Sequence, residues 1–109
     1  KSSQGFPIQQ PFPSMFLLIQ SEAVSMTMME RKIVCCIYNG DEPVTQEKEL
    51  TLNSTDATNL NNRVYEVTLN LNKSISASML QLRIYATDDR LNPLIRETVK
   101  NNTMIEQDF

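Results

Sequence analysis

A chain of 109 residues with a net charge of -3 and a pI near 4.9 fits one domain. A domain of that size buries roughly two thirds of its unfolded surface, and its acidic balance disfavours DNA, RNA and anionic bilayers as partners. No apolar run is long enough to span a membrane, and the complete lack of histidine removes the commonest general base together with the commonest metal ligand.

Residues 1–13, "KSSQGFPIQQPFP", hold three prolines and a glycine, which predicts an extended linker laid on a surface rather than a helix. The start at Lys1 reads as a cut from a longer protein. From Met15 onward the pattern is strand after strand, and a β-sandwich domain is expected over 14–109. "MFLLIQ" and "KIVCCIY" are continuous apolar runs that suit strands covered on both faces. Between them, "SEAVSMTMMERK" places Val24 and Met28 on one helical face, but its serines and threonines favour a connection over a helix.

Period-two alternation then dominates. Leu50 and Leu52 share a face in "ELTLN", as do Tyr65, Val67, Leu69 and Leu71 in "VYEVTLNL", and Leu80, Leu82, Ile84 and Ala86 in "LQLRIYA". "LIRETVK" alternates more weakly, and "MIEQDF" suits a closing edge strand. Polar turns at "NGDEP", "NSTDATNLNN" and "NKSIS" separate these segments. The expected fold is an all-β, antiparallel, immunoglobulin-like sandwich of about seven strands.

Catalytic chemistry finds few footholds. Cys35 and Cys36 are neighbours on one strand, so they face opposite ways, cannot cross-link without distorting the backbone, and read as small buried apolar residues. Unpaired thiols point to the cytoplasm. Two isolated glycines, Gly5 and Gly40, do not make a phosphate loop. Asp88, Asp89 and Asn92 gather hard oxygen ligands on a turn, as calcium sites do, but calcium wants about six to eight oxygens, usually from more than one loop. No cofactor and no metal is expected, and the turn "ATDDRLNP" reads as a structural tip that faces a partner. Arg83 and Tyr85 project from the face opposite Leu82 and Ile84. With Asp88, Asp89, Arg90 and Asn92 they form the predicted partner-binding set.

The segment from Ser78 to Phe109 resembles the C-terminal end of PglZ-family proteins, the alkaline-phosphatase-like components of BREX phage-defence systems. The similar features are a strand ending in a short acidic turn, then "LNPLI", then "VKNNT" leading to "IEQDF". A fainter likeness runs through "RKIVCCIYNG" and "VTQEKELTLNSTD". The resemblance implies a bacterial protein whose phosphatase-like catalytic domain lies upstream, and it implies that this piece is a non-catalytic accessory sandwich. Its partners would be the upstream domain and other protein subunits, with the piece itself monomeric. Two other readings stay open: a secreted or cell-surface adhesion sandwich, and a calcium-dependent lipid-binding module of the synaptotagmin type.

Overall fold

The computed structural model describes residues 14–53, 59–71, 79–100 and 105–108, so the predicted linker at 1–13 and most of the turns after Asn53 and Leu71 lie outside the described residues. In chain order the elements are β1 (Ser14–Gln20), helix α1 (Glu22–Met28), β2 (Ile33–Asn39), β3 (Glu42–Pro43), β4 (Lys48–Glu49), β5 (Thr51–Leu52), a 3-10 turn over Leu60–Asn62, β6 (Tyr65–Asn70), β7 (Met79–Ala86), β8 (Ile95–Lys100) and β9 (Ile105–Asp108). One sheet has the order β5-β6-β1-β9 and the other β3-β2-β7-β8, with β4 sharing the β2 edge with β3. All pairings are antiparallel except β1 with β9. The chain is an all-β sandwich.

The core forms where the alternating faces meet. Met15, Leu17 and Ile19 of β1 lie opposite Leu69, Val67 and Tyr65 of β6, and Leu82 and Ile84 of β7 lie opposite Ile37 and Cys35 of β2. All ten are buried in one cluster with Val24, Ile33, Leu71, Leu80 and Ala86. Every alternating face predicted for β6 and β7 is therefore the inner face. In β1 the continuous apolar run is covered less than expected, since Phe16 and Leu18 on its outer face are only half-buried. β2 is covered on both sides, with all five residues from Ile33 to Ile37 buried.

Two segments depart from the sequence expectation. "ELTLN" is not one strand: β4 pairs with β2, β5 pairs with β6, and buried Leu50 marks the point where the chain changes sheets. Leu52 consequently leaves the core face and is 43% exposed. A corner of this kind lets one chain segment close the edges of two sheets.

The segment after β1 is a helix, not an irregular connection. Its serines and threonines serve it in place of opposing it. Ser21 is the N-cap and accepts from the Val24 N–H at 3.2 Å, and the Thr27 hydroxyl donates to the Ala23 carbonyl at 2.8 Å. Glu22 in the first turn complements the helix dipole. Val24 and Ser25 are buried, and Tyr65 donates its hydroxyl proton to Ser25 Oγ at 3.0 Å, so tertiary contacts override the modest intrinsic propensity.

Leu82 is fully buried between the sheets. Leu82→Ala is expected to lower stability by about 2–5 kcal/mol, and Ser21→Ala by about 1 kcal/mol through the lost cap. Urea unfolding followed by circular dichroism checks both, and equal effects at the two positions would contradict the core assignment.

Candidate functional site

The end of the sandwich formed by α1 and the β7–β8 turn gathers most of the predicted partner-binding residues. The turn is built by short backbone bonds: Asp89 N–H donates to the Ala86 carbonyl at 3.0 Å, Asn92 N–H to Asp89 at 3.3 Å and Leu94 N–H back to Ile84 at 2.8 Å. Thr87 N–H donates to the Lys32 carbonyl at 3.0 Å, which fastens the turn to the segment leaving α1. Across the same junction Arg31 donates Nε and Nη2 to Asp88 Oδ1, at 3.2 and 2.7 Å. Asp89 lies 3.9 Å from Arg31 Nη2 and accepts from Asn92 Nδ2 at 2.9 Å. The hydrogen bond from Arg31, against a small cost of desolvation, holds the Asp88 carboxyl below its usual range.

These contacts place oxygens that sequence reasoning offered to calcium in other bonds. Asp88 faces a guanidinium, and Asp89 is tied within its own turn. Among the described residues no group of three or more Asp, Glu, Cys or His side chains is arranged to hold a metal ion.

Arg90 leaves the turn in the other direction and forms a two-pronged pair with Glu47, Nε to Oε2 at 2.7 Å and Nη2 to Oε1 at 2.9 Å. Glu47 belongs to the segment between β3 and β4, which folds over the outer face of β2 and β7. There Tyr85 donates its hydroxyl to Glu47 Oε2 at 2.6 Å. Having one proton, Tyr85 then accepts from Tyr38 at 2.9 Å, so the network runs Tyr38 to Tyr85 to Glu47, with Arg90 closing the far side. Arg90 first, and Tyr85 with it, draw the Glu47 carboxyl below its ordinary 4.5, against an opposing desolvation cost. Desolvation, reinforced by the bonds to Glu47 and Tyr38, pushes the Tyr85 phenol well above its ordinary value.

Tyr85 therefore corrects the sequence expectation. It lies on the face opposite Leu82, as predicted, but it is fully buried in a second small cluster with Val34, Cys36 and the partly buried Tyr38, and it is not available as an interface residue. The cover comes from residues distant in sequence. Val44 N–H bonds the Ile37 carbonyl at 2.8 Å, and buried Thr45 accepts from the Ile37 N–H at 3.1 Å, filling the gap in the β2 ladder between β3 and β4. Arg83 also lies away from the turn. Its guanidinium stacks over the Tyr38 ring at 4.1 Å, and Nη2 donates to the Gly40 carbonyl at 3.0 Å.

Both cysteines are free and buried, one on each face of β2. Burial, with a smaller contribution from Cys36, pushes the Cys35 thiol far up, which keeps it protonated and unreactive.

The flexible methionines Met26, Met28 and Met29 read in the sequence as fillers of core gaps, which holds for Met28 alone. Met26 and Met29, on and just after α1, are 55% and 68% exposed, and Leu91 at the crest of the β7–β8 turn is 86% exposed. The signal for Leu91 was present in "RLNP", an apolar residue set among turn formers with no strand to bury it. Arg31 and Glu47 carried no signal, because their partners lie 57 and 43 residues away.

No protein-family model, no curated protein and no solved structure matches this chain. Among the described residues no helix is long and apolar enough to cross a membrane.

The Glu47 network sets a pH dependence. A carboxyl depressed in the folded state contributes stability that is complete above its unfolded value and is lost as the pH falls through the folded value; Asp88 acts in the same sense. Melting temperature is expected to fall as the pH is lowered through and below the ordinary carboxylate range, and Glu47→Gln is expected to flatten that acid limb. Tyr85→Phe should cost about 1–3 kcal/mol at neutral pH by removing both the bond to the charged Glu47 and the acceptor for Tyr38. An unchanged acid limb in Glu47→Gln would show that the titrating group lies elsewhere.

Proposed function

We propose that this domain is a non-catalytic interaction module that engages a protein partner through the α1 and β7–β8 end of an immunoglobulin-like sandwich. The exposure of Met26, Met29 and Leu91 at that one end carries the reading, because exposed large apolar side chains grouped beside charged ones mark contact surfaces. The pair between Arg31 and Asp88 and the pair between Arg90 and Glu47 support it by bracing the turn, so little ordering cost remains on binding.

The strand order supports the immunoglobulin-like assignment. With β1 as strand B, the order β5-β6-β1 corresponds to D-E-B and β2-β7-β8 to C-F-G, while β9 takes the outer place beside B. In that correspondence α1 is the B–C connection and residues 87–94 are the F–G connection. Those loops form the binding end of variable domains.

The lack of histidine and the protonated, buried Cys35 support a non-catalytic role. The proposal stands on the exposed end and not on the PglZ resemblance. Under that resemblance the same module would be the accessory domain of a cytoplasmic, phosphatase-like phage-defence protein, with the partner surface offered to its upstream domain or to another subunit.

A photo-crosslinking residue at position 91, compared with one at exposed position 68 on β6, tests the reading in the native cell. A discrete adduct at 91 that is absent at 68 and lost in the double variant Met29→Ser, Asp88→Asn is the expected outcome. The same adducts from both positions would remove the end of the sandwich from consideration.

A further inference from the structure

On the outer face of the β2-β7-β8 sheet, Arg83 of β7 stands directly opposite Arg96 of β8, and Gln81 stands opposite Thr98. Like charges in direct cross-strand register are destabilising, and nothing in the fold requires Arg96. It is exposed, and no carboxylate lies within ion-pair distance of it among the described residues. Both arginines line one shallow depression of about 360 Å³, together with Tyr38, Gly40, Asp41, Leu80, Gln81 and Thr98.

Arg83 is built into its place. Its side chain is only 15% exposed, Nε donates to Gln81 Oε1 at 2.6 Å, Nη2 donates to the Gly40 carbonyl, and the guanidinium lies on the Tyr38 ring. Asp41, wholly exposed on the β2–β3 turn, approaches it from the rim at 3.5 Å, an exposed contact of small worth. A fixed guanidinium and a free one across a polar hollow form the arrangement that recognises an oxyanion.

We propose that the Arg96 side of this depression is a binding site for a carboxylate carried on an extended acidic peptide segment of a partner protein, held by Arg96 with Arg83 behind it. Charge complementarity selects the occupant: Arg83 has Asp41 beside it, while Arg96, set opposite a like charge, has no carboxylate of its own among the described residues and gains one from the partner. The fold supplies the route, since β8 is the last strand of its sheet among the described residues and offers an edge on which an extended segment can pair. A side chain on such an added strand, two residues from its neighbours on the same face, falls beside Arg96. The site is separate from the α1 and β7–β8 end, so each can hold or fail alone.

The probe is a capped peptide of alternating valine and glutamate, titrated calorimetrically into the whole chain, with an otherwise identical valine and glutamine peptide as control. Binding of the glutamate peptide is expected, with affinity that falls as salt is added. Arg96→Gln is expected to weaken it about tenfold, the loss of one charge-assisted contact, while the melting temperature of the free protein stays level or rises as the like-charge opposition is relieved. Equal binding of both peptides, no binding of the glutamate peptide at millimolar concentration, or wild-type affinity in Arg96→Gln would each overturn the proposal. A lower melting temperature in Arg96→Gln would do so too, by showing that Arg96 is there for the fold.

Discussion

Adjacent residues of a strand face opposite ways, and β2 is apolar at every position from Ile33 to Ile37. That constraint organises the rest of the molecule. One face of β2 joins the core between the sheets, as a sandwich requires. The other face, Val34 and Cys36 with Tyr85 of the neighbouring strand, would lie in water unless something covered it. The segment between β3 and β4 is that cover. It is stitched to β2 through Val44 and Thr45 and drawn down at its far end by the Glu47 carboxylate.

Placing a carboxylate over an apolar cluster carries a desolvation cost, which the surrounding donors offset. Tyr85 and Arg90 both bond to Glu47, and among the described residues no buried side-chain nitrogen or oxygen is left without a partner. Because Arg90 belongs to the β7–β8 turn, the cover and the turn hold each other. Arg31 braces the same turn from the helix side through Asp88. A single polar network thus connects the outer cluster to the end of the sandwich where Met26, Met29 and Leu91 are exposed.

The two surfaces differ in physical character. The end of the sandwich is apolar with its charges already paired, which suits a contact whose energy comes from burial. The β7–β8 face keeps one arginine locked and another free, which suits recognition of charge and a salt-dependent encounter.

Strands β6, β7 and β8 were legible in the sequence because alternation with period two reports which residues share a face irrespective of what that face packs against, and β1 and β2 were legible as short continuous apolar runs. The buried sets of β6 and β7 followed from the same rule, as did the opposite orientations of Cys35 and Cys36. Asp88, Asp89, Arg90 and Asn92 were legible as a turn, since their spacing is local. Alternation cannot say whether the second face of a strand meets water or another segment. Tyr85 was therefore placed on an open surface, although it lies buried beside Val34 and Cys36 under the segment that brings Thr45 to Cys36 and Glu47 to Tyr85. Propensity could not show that Ser21 would cap a helix whose Val24 reaches the core, or that the chain would change sheets at Leu50. Those outcomes, with the pairings of Arg31 to Asp88 and Glu47 to Arg90, were decided by contacts between residues far apart in the chain, which exist only once both sheets have formed.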